Sequence, residues 1–405
     1  MNNKVELLAP AGNYEKMVTA IQFGADAVYL SGKSLGMRAF AGNFSNEELK
    51  AAVKYCNENN VRLYVTLNII AHNEDLVGIE EYLKFLFDIK VDAIIVSDLG
   101  ILNIVKRVVP EIEVHISTQF SAMNYETIKF LESLNVQRII LPRELSLEEI
   151  REIRSKTSIE LEMFVHGAMC MGYSGRCMLS YHTKNRDANR GECNQTCRFK
   201  YNITSEQLPE GFYIEEEAKR GTYFFNSEDL CLIEHVSEIV KAGINSIKIE
   251  GRMKTLSYLS SVIKTYREAL DSYSNDPDNY KTNPEWLIEL KKVSNRGYTT
   301  FKFLDKNIKA SQSYDTGKAE ITHDIVGIVK EIINKEKMVI EVKGAFYPGQ
   351  EIDIVIPNKR ILTISFREIK DAIGRDVTKT NPNQIVVVKY FKSVVPGCIL
   401  RAKKI

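Results

Sequence analysis

The chain has 405 residues, with 54 Lys and Arg against 53 Asp and Glu and a net charge of +1. Its 44% hydrophobic and 26% charged residues are ordinary globular usage, which excludes disorder, collagen-like repeats and a coiled coil as the main architecture. A near-neutral chain has no global positive field, so any nucleic-acid contact must use a local basic patch. No apolar run approaches the roughly 18 residues that span a bilayer. The start, Met1-Asn-Asn-Lys, carries no apolar signal segment. A cytoplasmic protein without membrane contact is expected.

The first 165 residues alternate β-rich runs with amphipathic helical patterns. Strands are expected at Val5–Leu8, Ala27–Leu30, Val61–Leu67, Ala93–Val96, Val114–Ser117, Arg138–Leu141 and Ile159–Val165. Ser45 with Glu48 and Ser146 with Glu149 are capping boxes that open two of the helices. After an interruption come a helix near Leu230–Ala242, an eighth strand Ser246–Ile249 and a helix from about Leu256 to Tyr273. Eight strands with intervening helices favour a closed (β/α)8 barrel of the TIM type. The run Thr222–Asn226 offers one further strand. No Gly-x-Gly-x-x-Gly follows the first strand, which weakens the competing dinucleotide-binding open sheet.

The barrel is therefore expected over residues 1–273, interrupted by a long insertion over 166–221. Long excursions in compact domains usually carry function, and in a barrel this one belongs at the C-terminal face. Residues 274–316 form a turn-rich linker with a short helix over Pro284–Val293. Over 317–405 the pattern changes to alternating β runs separated by turns such as Pro348-Gly349, the mark of a small all-β barrel. Its basic end (Arg401, Lys403, Lys404) suggests a docking module.

The insertion holds four of the seven cysteines: Cys170, Cys177, Cys193 and Cys197. Such clustering in a reducing compartment points to a metal or redox site rather than a disulfide frame. Thiolates suit zinc or iron–sulfur. Only the last pair has the short spacing of a zinc site, and the wide first gap suits a cluster, whose ligands wrap a larger object. Zinc remains the alternative. Cys56, Cys231 and Cys398 are read as buried small hydrophobes, with Cys231 the substitute should Cys197 not ligate. Gly167, Gly172, Gly175 and Gly191 permit close backbone approach around the thiols.

Alternation supplies a second constellation. Glu160, Glu162, Phe164 and His166 share one strand face; Lys248 and Glu250 lie on the polar face of theirs. Glu162, His166, Lys248, Glu250 and Arg252 are the candidate catalytic groups, with Gln119 and Arg143 following their own strands as substrate contacts. A Lys248–Glu162 ion pair that merely holds the barrel is the bland alternative. Arg176, Arg186, Arg190 and Arg198, with Lys184, Lys200, Tyr181, Phe199 and Tyr201, form a basic and aromatic stretch beside the thiols. That mixture suits phosphate contact and base stacking, and equally a solvated loop.

These residues resemble a known family. Glu162-Met-Phe-Val-His-Gly-Ala-Met-Cys170-Met-Gly-Tyr-Ser-Gly-Arg176-Cys177-Met-Leu-Ser180 is similar to the signature of the collagenase-like peptidases, family U32. So are Glu6-Leu-Leu-Ala-Pro10-Ala-Gly12, Gly24-Ala-Asp-Ala-Val-Tyr29, Gly191-Glu-Cys193-Asn-Gln-Thr-Cys197-Arg198 and Ser246-Ile-Lys248-Ile-Glu250-Gly-Arg252-Met. The resemblance covers residues 5 to about 300, and the terminal β module resembles the small barrel appended in many members. It implies an iron–sulfur protein that supports hydroxylation. Branches of the family act on the tRNA wobble uridine (giving 5-hydroxyuridine, with prephenate or a similar small organic acid implicated), on a ribosomal cytidine or on ubiquinone precursors. It implies that Cys170, Cys177 and Cys193 ligate a 4Fe–4S cluster, with Cys197 at the variable fourth position. The tRNA branch is the nearest. A peptidase, or a cluster-carrying subunit working with a paralogous partner, are the alternatives.

Overall fold

A parallel strand of a closed barrel must be apolar at least on the face its helices cover. β1 (Glu6–Pro10), β2 (Ala27–Leu30), β3 (Arg62–Leu67), β4 (Ala93–Val96), β5 (Glu113–Ile116), β6 (Arg138–Leu141) and β7 (Glu160–Ala168) meet that demand over most of their residues, and β2, β4 and β6 are buried throughout. The computed structural model describes residues 4–33, 42–201, 225–307 and 319–404. Its chain divides into two units: residues 1–14, 26–252 and 295–319, and residues 15–25, 253–294 and 320–405.

In the first unit, β1 to β7 pair in sequence order. β8 (Asp229–Cys231), β9 (Ser246–Ile249) and β10 (Tyr298–Thr299) follow. β9 pairs in parallel with both β1 and β7, which closes an eight-stranded barrel. The eight expected strands are these eight. Helices α1 (Tyr14–Gln22), α2 (Asn46–Glu58), α3 (Ile79–Asp88), α4 (Leu99–Val108), α5 (Tyr125–Ser133) and α6 (Leu147–Lys156) follow the first six strands in the chain, the pattern of right-handed crossovers. Both capping boxes form, at Ser45 and at Ser146, each worth about 1 kcal/mol to its helix.

The insertion contains α7 (Leu179–Lys184), and α8 (Val236–Lys241) precedes β9. Leu230 and Cys231, expected in a helix, lie instead in β8. That strand runs antiparallel to the end of β7, with Cys231 opposite His166 and Leu230 opposite Gly167. Long-range pairing overrides the local helical pattern there. Residues 222–224 of the further strand lie outside the described residues, as do residues 202–221 of the insertion.

The second unit contains α9 (Leu256–Asn275), α10 (Pro284–Lys291) and a seven-stranded antiparallel sheet curled around its own core. Its strands are β11 (His323–Ile333), β12 (Lys337–Val342), β13 (Glu351–Val355), β14 (Leu362–Ser365), β15 (Lys370–Asp371), β16 (Ile385–Lys389) and β17 (Ile399–Lys403). Met338, Ile340, Ile352, Ile354, Phe366 and Leu400 fill the core. Arg401 corrects one expectation. It is fully buried, its guanidinium held by both Glu289 oxygens at 2.6 Å, by Asp353 at 3.2 Å and by Ser261 at 2.8 Å. An arginine so enclosed is structural and cannot dock a partner. Among the described residues no helix is long and apolar enough to cross a membrane.

Candidate functional site

The barrel interior is filled from the N-terminal end by paired charge. Arg138, 2% exposed, donates to Glu6 at 2.5 Å, to Glu160 at 2.7 Å and to Glu162 at 3.1 Å. Tyr64 and Ser246 also donate to Glu6, at 2.6 and 2.9 Å. Lys248 caps this layer, with Nζ 2.9 Å from Glu162 and 4.4 Å from the centre of the Tyr29 ring. Burial alone would raise the Glu162 carboxyl, but Lys248 and Arg138 outweigh it and hold it below the ordinary carboxylate range. Burial pulls the Lys248 ammonium down, opposed by Glu162. The structure thus brings Glu162 and Lys248 together as a closed ion pair. Sequence reading missed Arg138 and Glu6, because each is the lone charge at the start of an otherwise apolar strand.

The remaining candidates gather at the C-terminal rim. The pairing of β7 with β9 shifts register between Phe164 and His166. The shift breaks the alternation that grouped His166 with Glu162. The buried His166 ring instead lies 5.3 Å from the Tyr298 ring. Burial, with Cys231 and Asp229 nearby, pushes the Tyr298 phenol up. Glu250 N donates to His166 O at 2.9 Å, and its Cβ lies against Gly167. Gly167 has φ +116°, and a Cβ there would sit 2.7 Å from that of Glu250. Arg252 is buried and donates to Asn43 at 2.6 Å. Arg143 donates to Ala168 O at 2.7 Å and lies 4.1 Å over the Phe164 ring.

The insertion is fastened over this rim. Gly175 packs on the turn after β5, where a Cβ would overlap Gln119 O, at φ +75°. Ser121 Oγ donates to Ser174 O, and Ser174 N donates to Glu144 at 3.0 Å. Farther along, Arg190 pairs with Asp75 at 2.6 Å and Glu74 at 3.0 Å, and Ile70 N donates to Asn189 O at 3.1 Å. Arg190, expected to touch substrate, is thereby engaged as an anchor. The loops after β3, β5 and β6 all hold the insertion, which confines it to the barrel's C-terminal face. Glu144 and Ser121 as clamps had no sequence signal. Gly175→Ala is expected to weaken the clamp by about 1–3 kcal/mol through clash and left-handed strain. Trypsin should then cut faster at Arg176 and Arg186 while the barrel's melting temperature barely moves. Unchanged cleavage would contradict the clamp.

All four insertion cysteines are free thiols. Burial raises the Cys197 thiol to about 11, with Arg198 opposing and Cys170, Cys193 and Cys177 adding. Burial raises Cys177 as well, against a backbone N–H from Leu179, and Cys170 and Cys193 add to it. The thiols therefore sit within electrostatic reach of one another. Among the described residues, no three His, Cys, Asp or Glu side chains converge to hold a single metal ion. Arg198 Nη1 is buried beside Cys197 without a hydrogen-bond partner among the described residues. An anionic set of thiolates would supply one. Cys56 and Cys398 are fully buried, in α2 and just before β17, and Cys231 is buried in β8.

Around the thiols, Tyr173, Tyr181, Phe199, Met171 and Met178 are exposed, as are Arg176, Lys184 and Lys200. From His166 to Tyr201 there are six Lys and Arg against two Asp and Glu. This is a local positive surface on a near-neutral chain. A neighbouring cavity of about 710 Å³, lined by Lys33, Glu47, Glu74, Asp75 and Tyr82 among others, is acidic on balance and unsuited to phosphate.

A closed barrel with thiols clamped over its C-terminal rim and an appended β module defines a class, and comparison gives it a name. The family model described as peptidase family U32 matches residues 12–313, and that of the peptidase family U32 C-terminal domain matches residues 321–401. The chain belongs to peptidase family U32. It is 40% identical over 408 residues to tRNA hydroxylation protein P1 of Bacillus subtilis, covering 100% of this chain and 96% of that one. It is 42% identical to an uncharacterized protease of Methanocaldococcus jannaschii, over 77% of this chain and 76% of that one. It is 34% identical to tRNA hydroxylation protein P of Escherichia coli, over 88% and 87%.

Proposed function

We propose that this chain is an RNA hydroxylase that converts the wobble uridine of tRNA to 5-hydroxyuridine and uses a 4Fe–4S cluster. The observation that carries the reading is the 40% identity to a tRNA hydroxylation protein along the full length. The basic, aromatic insertion at the barrel rim supports it. Cys170, Cys177, Cys193 and Cys197 are the ligands. A multi-iron cluster takes its thiolates at separate iron atoms, so the four need not converge on one point. The wide spacing from Cys170 to Cys177 favours it over zinc. When bound, the cluster supplies redox chemistry at the mouth of the barrel.

The protein's own groups bind, orient and shield. Tyr181 and Phe199 offer exposed faces on which an unstacked base and its neighbours can lie. Arg176, Arg186 and Lys200 meet phosphates. Arg143 uses one N–H on Ala168 O, and the rest of its fork can take a carboxylate of a small organic acid of the prephenate class. His166 and Glu250, linked through the backbone, are placed to hold or move protons, and Arg252 fixes the turn after β9. Glu162 and Lys248 support this rim from below.

Mass spectrometry of bulk tRNA nucleosides tests the reading. A strain lacking this gene and any close paralogue is expected to lose 5-hydroxyuridine and its derivatives. Undiminished hydroxylation would end the proposal, and digestion of casein or gelatin by the purified protein would move the function to the peptidase reading.

A further inference from the structure

Residues 320–405 carry 15 Lys and Arg against 10 Asp and Glu, in a chain whose total surplus is one. Ion pairs absorb part of that excess. Glu341 takes Lys343 at 2.7 Å and Lys330 at 3.3 Å; Asp376 takes Lys370 at 3.0 Å, and Asp371 takes Arg375 at 2.8 Å. Four further lysines gather at one corner of the sheet. β12 and β16 are antiparallel with Lys337 directly opposite Lys389. The next rung, Met338 opposite Val388, lies in the core, so alternation turns both lysines to the outer face. Cα atoms of opposed residues are about 4.5–5.5 Å apart, and like charges so placed repel.

Lys335 stands in the turn just before Lys337, in left-handed conformation at φ +56°. Tyr390 N donates to Glu336 O at 2.9 Å, which brings the segment bearing Lys392 to the same corner. All four lysines are exposed, and none has an ion-pair partner among the described residues. Glu336 in the turn and Glu331, one step along the same outer face, are the acids near this corner, so a surplus of two remains.

A surface that keeps an uncompensated repulsive rung is suited to an anion from outside. We infer that Lys335, Lys337, Lys389 and Lys392 form a phosphate-binding foothold for the RNA substrate. Ammonium groups on flexible stems act as point charges and read no sequence. The foothold therefore contributes affinity while the insertion selects the base. The inference rests on the RNA reading above.

The test uses the full-length protein and unmodified tRNA, with affinity measured between about 50 and 200 mM salt. Each phosphate contact contributes about 0.9 to the slope of log affinity against log salt on duplex nucleic acid. Changing all four lysines to Gln is expected to flatten the slope by about 3–4 with an unchanged melting temperature. A control that changes the paired Lys330, Lys343 and Lys370 to Gln should keep the wild-type slope. A wild-type slope in the fourfold variant overturns the foothold, as does equal flattening in the control. Binding of the wild type to anionic phosphatidylglycerol vesicles, lost in the fourfold variant while tRNA binding stays intact, would assign the corner to membranes and overturn it too. A wild-type protein that does not bind tRNA at all sinks the RNA reading itself and takes the foothold with it.

Discussion

Cys193→Ala is expected to leave anaerobically purified protein with a small fraction of the wild-type iron and without measurable tRNA hydroxylation. Cys193 lies just beyond the second clamp of the insertion, at Asn189 and Arg190, with Ser180 Oγ 3.8 Å from its sulfur. Removing it leaves three thiols, and no other described thiol of the insertion can take its place. The loss should exceed the roughly 10–100-fold that an outer-shell change costs a metal site. Two controls sharpen the result. Cys56→Ala touches a thiol that burial pushes up to about 12 and that lies inside α2. Cys231→Ala touches one held in β8 opposite His166. Both are expected to keep their iron, measured by colorimetric iron analysis and visible absorption. Full occupancy in Cys193→Ala would show that the ligand set is wrong. Iron loss in Cys231→Ala would make that residue the fourth ligand in place of Cys197.

Arg138→Met should be the most destabilising single change in the barrel. It removes the cation shared by Glu6, Glu160 and Glu162 and leaves Glu162 fully buried against Lys248 alone. Breaking a buried ionic network by deleting one partner costs about 3–5 kcal/mol. The urea midpoint of the barrel transition reports it. The pH dependence follows from the depressed Glu162 carboxyl. A carboxyl held below its unfolded value contributes stability that is present above that unfolded value, about 4.3, and is lost as pH falls through the folded one. In the wild type the loss comes below the ordinary carboxylate range. In Arg138→Met it should begin at higher pH. An acid-unfolding profile that coincides with the wild type would show that Arg138 does not hold the layer together.

The barrel was legible because a parallel sheet imposes a local code. Each strand had to be apolar on its helix-covered face, each helix had to announce its start, and Ser45–Glu48 and Ser146–Glu149 did so. The thiol cluster was legible for the same reason, since its members lie within one stretch of 28 residues from Cys170 to Cys197. What stayed hidden depends on partners distant in sequence. β8 and β10 have three and two residues, too few for any periodicity, and exist because β7 runs on past the barrel. The register shift after Phe164 moved His166 out of its expected company. Arg401 looked like a surface cation because nothing near it in the chain reveals Glu289, 112 residues away.

The charged floor of the cylinder has a kinetic consequence. Glu6, Arg138, Glu162 and Lys248 occupy the interior as interlocked side chains, and Arg138, Glu162 and Lys248 are each less than 4% exposed. The barrel is therefore a cul-de-sac. Whatever is consumed above Lys248 arrives by the same doorway through which the product departs, and a macromolecule lying across that doorway blocks both. On the proposed function, an RNA lying across that doorway would require any small reactant to be seated before it arrives and the remnant to leave only after it has gone.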